Sequence, residues 1–355
     1  MNTIVTSATS PEIDMPAPAS KPHVVIEVAV PAPASKASKA TARPQAGPLE
    51  PSERSKWFAG IVVIGYTIIS LIPLVWIVMT SLRTPQDSIA YPPKVIAESS
   101  LIGYVNLFTT RSRVSADELA ALPPAKTWYE QLVREQQMIL AGPSRFQDRY
   151  LNSLLIGFGS TLLSIVLGTF AAYAFSRFRI PGKDDWLFFI LSTRMMPPIA
   201  VAIPIYLMFR NLGLNDTHVG LILLYTVVNL SLSVWLLKGF MDEIPREYEE
   251  AAMVDGYTRF QAFIKVVLPQ AATGIATTAI FCLIFAWNEY AFALLLTSGT
   301  AQTSPPFIPT IIGEGGLDWP AMAAGTTLFL LPVLLFTILL RKHLLRGITF
   351  GAIRK

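Results

Sequence analysis

Acidic side chains crowd one polar stretch of the sequence, 241–270, which lies between two apolar runs. Glu247, Glu249, Glu250 and Asp255 are four of its six carboxylates, and Asp242 and Glu243 are the other two. A proline just before the first three suits the start of a helix, whose dipole favours carboxylates in its first turn. Gly256 then breaks this helix, since glycine reaches the positive φ that a tight turn needs. No set of Ser, His and Asp residues lies beside these carboxylates, so a catalytic triad is not predicted here. The carboxylates can instead form ion pairs with basic side chains of a partner.

A second helix is predicted to begin at about Thr258. It carries apolar residues at i, i+3, i+4 and i+7, namely Phe260, Phe263, Ile264 and Val267. This spacing places them on one helical face, which needs a partner. The 241–270 stretch is too polar to cross a bilayer. We therefore expect it to lie on one side of a membrane.

Residue types needed for other kinds of site are scarce. The histidines are His23, His218 and His343, and the single cysteine, Cys282, lies inside an apolar run. A metal site, a disulfide framework and a histidine-based catalytic cluster are therefore not predicted. Gly182-Lys183 lacks the glycine spacing of a phosphate-binding loop, so any ATP chemistry must reside on another subunit. The sequence predicts no cofactor.

Composition places the chain in a membrane. Of 355 residues, 52% are hydrophobic and 15% are charged, against about 25% charged in ordinary soluble domains. The mean hydropathy is +0.48 and the pI is about 9.1. The net charge of +4 then concerns orientation and contact with anionic lipid. Nucleic acid is not an expected partner, because no basic patch is interleaved with aromatic residues.

Six apolar runs are long enough to cross a bilayer, for which roughly twenty residues suffice. They cover 57–80, 151–176, 185–210, 218–240, 271–297 and 321–342. Lys and Arg number three in each of 177–184 and 241–270, and none in 211–217 or 298–320. By the positive-inside rule, both termini and the 241–270 stretch are cytoplasmic. The sequence predicts an all-α integral membrane protein with six transmembrane helices.

Small residues recur every fourth position on two of these runs. They are Ser160, Ser164, Gly168 and Ala172 in the second run, and Gly274, Thr278, Cys282 and Ala286 in the fifth. Small side chains on one stripe let helix backbones approach closely. Each stripe therefore predicts tight packing against a neighbouring helix.

A spaced motif lies within the 241–270 stretch: Glu250-Ala251-Ala252, then Asp255-Gly256, then Val266 and Leu268-Pro269. With this spacing and membrane context it resembles the EAA signature of ABC importer permeases, with Val266 where Ile is commoner. The resemblance implies a cytoplasmic pair of coupling helices that docks into a cleft of the ATP-hydrolysing subunit. The alternative is a plain amphipathic helix pair at the membrane interface.

Further landmarks lie outside that stretch: Asn152-Ser153-Leu154, Ala171-Ala172-Tyr173-Ala174, Arg194-Met195-Met196-Pro197-Pro198, Trp287-Asn288-Glu289 and Gly347-Ile348-Thr349-Phe350-Gly351-Ala352. They resemble the carbohydrate, maltose-type branch of these permeases. The resemblance implies a multi-pass permease subunit, not an enzyme, in a bacterial inner membrane. Its implied cargo is a carbohydrate or polyol, and which one is open. Its implied partners are ABC ATPase subunits, a second permease subunit forming a heterodimer, and an extracytoplasmic solute-binding protein.

The chain divides into segments of different composition. Residues 1–50 are rich in Pro, Ala, Ser and Lys, so we expect a disordered cytoplasmic tail. After the first span, 81–150 is an extracytoplasmic loop. Within it 109–145 exceeds the usual family length, either contacting the binding protein or elaborating the surface. The permease core is 151–343, and 344–355 is a cytoplasmic tail.

Arg194, Asn288 and Glu289 are candidate substrate-pathway residues, because ionisable groups inside spans are costly. Arg194 either caps carbonyls freed near Pro197-Pro198 or contacts substrate. Asn288 and Glu289 either cap a helix end or serve a gate or partner contact. The depths of Arg194 and Glu289 in their spans differ, at roughly 12 and 27 Å from the cytoplasmic side by the rise of a helix, which argues against a direct pair.

A transporter of another class is the alternative to an ATP-driven importer. An ion- or proton-coupled carrier acting alone would normally show inverted repeats with broken helices and a buried acidic relay. No such duplication is evident in the sequence. Transport with and without ATP distinguishes the two mechanisms.

Overall fold

The computed structural model describes residues 52–94, 97–313 and 316–349. The predicted 1–50 tail and the last six residues of the predicted C-terminal tail lie outside the described residues. The chain divides into two units after Ile61. In the first unit, the described residues are the start of helix α1, Glu53–Ser81, and every later element belongs to the second. Large apolar side chains of α1 are exposed from Trp57 to Val78, as expected for a helix in lipid.

The segment between α1 and the next long helix forms a small lobe, which we call the 82–145 lobe. Its elements are α2 Pro85–Ser88, α3 Ile102–Phe108, β1 Thr109–Arg113, α4 Ala116–Ala120, α5 Trp128–Arg134 and β2 Met138–Pro143. Strands β1 and β2 pair antiparallel, with an irregularity between Thr110 and Arg111. The described residues are mostly helical, in agreement with the all-α prediction, and this strand pair is a local departure from it. Strand β1 is short and polar and lacks a helical apolar period, and its backbone bonds are satisfied by β2.

Two long helices and a broken one follow the lobe. They are α6 Phe146–Arg177, α7 Lys183–Thr193, α8 Pro198–Asn211 and α9 His218–Asp242. The predicted continuous span 185–210 is broken, since α7 and α8 meet at 94°. Pro197 and Pro198 explain the break: proline lacks the backbone N–H and disfavours helical geometry in the residue before it.

The 241–270 stretch, here called the 241–270 loop, folds into short helices, and the rest of the chain follows. The elements are α10 Glu247–Val254, α11 Arg259–Ala262, a π-turn Phe263–Val267, α12 Leu268–Gln270, α13 Ala272–Trp287, α14 Ala291–Leu296, α15 Ser304–Phe307, a 3₁₀ turn Ile308–Thr310, β3 Ile312–Gly313, β4 Gly316–Leu317 and α16 Trp319–Thr349. The predicted fifth span thus ends at Trp287, with α14 separate. Helix α16 continues through 344–349, which was predicted as tail.

Among the residues that the structure describes, four helices are long and apolar enough to cross a membrane: α1, α6, α9 and α16. The number rises to six if each of two bent helix pairs forms one span, namely α7 with α8 and the 259–270 segment with α13. The described residues are therefore mostly helical, with four to six candidate spans.

The small-residue stripes lie at helix contacts, as predicted. A Cβ on Gly168 of α6 would stand 2.3 Å from Ser233 Oγ of α9, and one on Gly274 of α13 would stand 2.4 Å from the Phe240 ring. Ser233 Oγ also donates a hydrogen bond of 3.0 Å to the Ser164 carbonyl. These contacts fix α6 and α13 against α9, which carries the 241–270 loop at its end.

Candidate functional site

The turn of the 241–270 loop has the predicted construction. Helix α10 ends at Val254, and Gly256 follows with φ of +91°. Thr258 then begins the next helix, where its hydroxyl and the Gln261 side chain form a reciprocal capping box. Two orphan N–H groups are satisfied in this way. The structure confirms two short helices with a bend at Gly256 and a second start at Thr258.

Glu249 fastens this loop to the body of the protein. Its carboxylate forms an ion pair with Arg177 at the end of α6, and accepts a hydrogen bond of 2.9 Å from the Tyr173 hydroxyl. The Arg177 and Glu249 side chains are 5% and 7% exposed. Arg177 also donates to the Ile244 carbonyl at 2.9 Å. The start of α10 is thereby held against α6 by buried charge-assisted bonds.

Aromatic packing supplies a second attachment. The Phe263 ring lies 4.5 Å from the Tyr173 ring and 5.7 Å from the Phe170 ring, between centroids. Phe263 is 3% exposed, whereas Phe260 and Ile264 are 61% and 44% exposed. The predicted single apolar face is therefore divided: one half packs on α6, and the other half faces away from this chain.

The predicted docking residues are likewise distributed over two faces. Glu250, Ala251, Asp255, Gly256 and Pro269 are exposed, Leu268 is half-buried, and Ala252 is buried. Val254, beside the turn, is 87% exposed. The loop thus presents a carboxylate, a small residue and apolar side chains outward while its inner face is fixed. Such a surface suits a partner with a groove of mixed apolar and basic character.

A cavity of about 500 Å³ lies beside the break between α7 and α8. Arg194 lines it at the break. Its Nη1 donates to the Val228 carbonyl at 3.3 Å, and its guanidinium lies 4.1 Å from the Phe285 ring centroid. Arg194 was predicted to cap carbonyls near Pro197-Pro198 or to contact substrate, but the Val228 carbonyl that accepts its hydrogen bond belongs to α9. Irregular backbone within a membrane is tolerated where it lines a cavity, as it does here.

Glu289 lines the same cavity, whereas Asn288 is not among the lining residues. Glu289 Oε1 accepts a hydrogen bond of 2.9 Å from the Phe292 N–H, so it caps α14. Asn288 Nδ2 donates to the Ile284 carbonyl at 2.8 Å, at the end of α13. No ion pair joins Arg194 to Glu289 in the described part of the chain. Glu289 and Asn288 therefore both form hydrogen bonds at helix ends, and Glu289 also lines the cavity.

A network of hydrogen bonds that was not predicted surrounds Asp216, in the loop before α9. Asp216 accepts backbone N–H bonds from Gly299, Thr300 and Ala301, at 3.2, 2.8 and 3.1 Å. Burial raises the pKa of the Asp216 carboxyl, but these backbone hydrogen bonds outweigh it and hold the pKa below its usual range. Asn152 donates to the Thr300 carbonyl at 2.7 Å from the other side. These hydrogen bonds hold the 298–301 segment against α6 and the start of α9.

Within the described residues, no three His, Cys, Asp or Glu side chains are placed to hold a metal ion. The features that remain are a fixed loop with an exposed face and a cavity at a broken helix. Residues 164–349, which contain both, match the family model described as "Binding-protein-dependent transport system inner membrane component". The chain belongs to this family.

Proteins named as transport permeases are similar over more than half of the chain. The protein named Probable ABC transporter permease protein y4oR, of Sinorhizobium fredii, is 30% identical over 80% of this chain and 90% of its own length. The trehalose transport system permease protein of Mycobacterium tuberculosis is 38% identical over 59% of this chain and 77% of its own. A bacterial ABC transporter that imports the acidic polysaccharide alginate has a chain with the same fold, at a TM-score of 0.59 and 19% identity, covering 82% of this chain and 98% of that one.

Membership of the family gives this inner-membrane component a transport role that depends on a binding protein. Similarity to a protein named as an ABC transporter permease favours the ATP-driven mechanism over an ion-coupled carrier without an ATPase partner. The docking surface predicted from the sequence stays a prediction, and sequence reasoning missed Glu249 as the residue that anchors the loop. The available signal was Arg177, a basic residue at the end of the second apolar run, on the same side of the membrane as three loop carboxylates.

Proposed function

We propose that this inner-membrane component is one permease subunit of an ATP-driven importer for a carbohydrate or polyol. In this proposal each bent pair is one span, giving six, and the 241–270 loop is the EAA coupling loop in the cytoplasm. ATP is hydrolysed on separate ABC ATPase subunits, which the loop contacts. The observation that carries the proposal is a loop fixed on its inner face by Glu249 and exposed on its outer face at Glu250 and Ala251.

This construction suits the transmission of movement. A partner that pulls on the exposed face of α10 moves Glu249, and the buried pair transfers that movement to Arg177 on α6. Phe263 transfers it through ring contacts with Tyr173. Because α6 packs tightly on α9 through Gly168, the helices move together. Alternating access in such a system is a rigid-body movement of helices around the transport path, driven by ATP-dependent closure of the ATPase subunits.

The cargo class and partners rest on similarity. The trehalose transport system permease is a sugar permease by its name, and the maltose-type landmarks of this chain agree with that class. Import of this kind needs a second permease subunit, in a heterodimer with this one, and an extracytoplasmic solute-binding protein. Lys and Arg counts in the short connections support cytoplasmic termini and an extracytoplasmic 82–145 lobe.

The exposed face of α10 can be tested with Ala251→Trp. An indole at this position would obstruct a groove that accepts a small residue, so ATP-driven uptake should fall by at least tenfold, while membrane insertion is unaffected. Uptake is measured in proteoliposomes that contain both permease subunits, the ATPase subunits and the loaded binding protein. Omission of ATP should abolish uptake by the wild-type complex.

The matched control is Ala120→Trp, the same substitution in helix α4 of the 82–145 lobe, where the side chain is also exposed. It should leave uptake unchanged. Full uptake by the Ala251→Trp complex would refute the docking role of α10. Wild-type uptake that continues without ATP would refute the ATP-driven mechanism.

A further inference from the structure

An open apolar groove, here called the aromatic groove, lies on the 82–145 lobe. Its volume is about 560 Å³, and four of its lining side chains are aromatic: Tyr104, Phe108, Trp128 and Tyr129. None of the described residues that line it is charged. Trp128 and Phe108 are 58% and 42% exposed. An exposed group of large apolar side chains of this kind marks a contact surface.

The walls of the aromatic groove are fixed by the core of the lobe. Val133 of α5, Ile102 of α3 and Met138 of β2 are buried in one apolar cluster. This cluster fixes α5 against α3 and β2. Trp128 and Tyr129, at the start of α5, therefore stay at the groove instead of packing into the lobe.

Helix α3, which forms one wall, lies against the ends of two candidate spans. A Cβ on Gly103 would stand 2.8 Å from the Ser81 carbonyl, at the end of α1, and 2.7 Å from the Pro320 carbonyl, at the start of α16. The Tyr104 hydroxyl and Ser81 Oγ share a hydrogen bond of 3.1 Å. Lipid headgroups begin where the apolar spans end. The aromatic groove is therefore continuous with the lipid-exposed surface of α1 and lies near the level of the headgroups.

The composition of the groove fits a lipid better than a hydroxylated solute. Trp and Tyr are enriched at membrane interfaces, where the ring contacts apolar chains and its polar atom reaches water. A carbohydrate site needs several placed polar groups, whereas the only polar side-chain atoms at this groove belong to Thr109, Trp128 and the two tyrosines.

A basic residue stands beside these rings. Lys126 is exposed, two positions before Trp128, and forms no ion pair within the part of the chain that the structure describes. Its charge complements the phosphate of an anionic lipid. The groove and Lys126 together match the two parts of a phospholipid, an apolar chain and an anionic headgroup.

We propose that the aromatic groove binds a phospholipid from the leaflet on its side of the membrane, the outer leaflet in the orientation proposed above. An acyl chain lies along the aromatic rings, and the phosphate pairs with Lys126. The lipid anchors the 82–145 lobe to the membrane surface. This inference goes beyond the proposed function, because it requires neither ATP nor a particular cargo.

The test attaches a bimane fluorophore to Trp128→Cys in the detergent-solubilised complex, without the binding protein. The native Cys282 is buried and should not react. Brominated phosphatidylglycerol, which quenches a fluorophore only at contact, is then titrated into the sample. The bimane at position 128 should be quenched. The matched control is Ala120→Cys, exposed on α4 of the same lobe but not at the groove, where quenching should be absent.

The contribution of Lys126 is tested by adding Lys126→Gln to the labelled protein. The affinity measured with brominated phosphatidylglycerol should fall about fivefold, which is the effect of one basic residue on an anionic lipid. The affinity for brominated phosphatidylcholine should change less. Equal losses for the two lipids, or none for phosphatidylglycerol, would overturn the assignment of the phosphate to Lys126.

Two results would overturn the lipid site itself. One is equal quenching, or none, at positions 128 and 120. The other is a bimane at position 128 that lipid does not quench but whose emission shifts when the loaded binding protein is added, since the groove would then be a protein-docking surface. Because neither measurement uses transport, failure of the lipid site would leave the proposed function standing.

Discussion

Arg177→Met tests whether the 241–270 loop depends on its buried ion pair. The substitution keeps an apolar stem of similar reach and removes the guanidinium. Glu249 then retains the Tyr173 hydroxyl at 2.9 Å but loses its cationic partner, and the Ile244 carbonyl loses its donor at 2.9 Å. A buried carboxylate without its counter-charge is unfavourable.

The expected size of this effect follows from burial. Side chains that are 5% and 7% exposed are not screened by solvent as surface pairs are. Removing one partner of a buried pair costs about 3–5 kcal/mol. Since each 1.4 kcal/mol is about tenfold in an equilibrium, attachment of α10 to α6 weakens by roughly a hundredfold or more. Replacing both partners, in Arg177→Met with Glu249→Met, should recover part of this loss.

The assay is stimulation of ATPase activity by the loaded binding protein in proteoliposomes, together with the melting temperature of the complex in detergent. Arg177→Met should lose most of the stimulation and melt at a lower temperature. The matched control is Arg210→Met, since Arg210 is exposed in the last turn of α8, outside the 241–270 loop; it should keep the wild-type stimulation and melting temperature. Wild-type stimulation and melting temperature in the Arg177→Met complex would refute the role of this pair.

Three further predictions use the melting temperature of the purified complex in detergent and its coupled uptake. Gly256→Ala should destabilise the loop by about 1–2 kcal/mol, the cost of a Cβ at positive φ, and reduce coupled uptake. Gly168→Ala should cost about 1–3 kcal/mol through the clash with Ser233, lowering the melting temperature. Asp216→Asn should lower it at pH 7. Because the folded pKa of Asp216 is lowered, its carboxylate stabilises the folded protein fully above the ordinary Asp pKa of about 3.9. This stabilisation is lost as the pH falls further, so the melting temperatures of the variant and the wild type should approach each other at low pH.

Each of these has a control within the chain. Gly256→Asn should be milder than the alanine variant, because asparagine tolerates positive φ; equal effects would contradict the backbone argument. Gly239→Ala meets no atom within 4 Å and should not destabilise α9; a loss as large as that of Gly168→Ala would exclude the packing explanation. A difference between Asp216→Asn and wild type that stays constant from pH 7 to pH 3 would contradict the lowered pKa.

Local patterns in the sequence predict much of the fold and of the loop. Apolar length located the helices, and Pro245, Gly256 and Thr258 determined the start, the bend and the restart of the 241–270 loop through backbone rules alone. The small-residue stripes marked the helix contacts for the same reason. The break at Pro197-Pro198 was visible in the sequence, but apolar composition alone favoured one continuous span.

Features that depend on distant contacts were not predictable. The role of Glu249 requires Arg177, 72 positions away, and three neighbouring carboxylates were equally plausible partners from the sequence. The cavity arises because the α7–α8 bend brings Arg194 into the same lining as Glu289, whereas counting residues along straight spans set them at different depths. The β1–β2 hairpin forms by pairing of segments about 25 residues apart, which single-segment patterns do not reveal.

Contact between α10 and the ATPase subunit can be measured directly by photocrosslinking. A benzophenone maleimide is attached to Val254→Cys, whose native side chain is 87% exposed beside the turn, before the ATPase subunits are added; the native Cys282 is buried and should not react. We predict a crosslinked product that contains the ATPase subunit, and none from Ala120→Cys in the 82–145 lobe. Absence of that product from the Val254→Cys complex, or its equal formation from Ala120→Cys, would contradict the coupling role of the 241–270 loop.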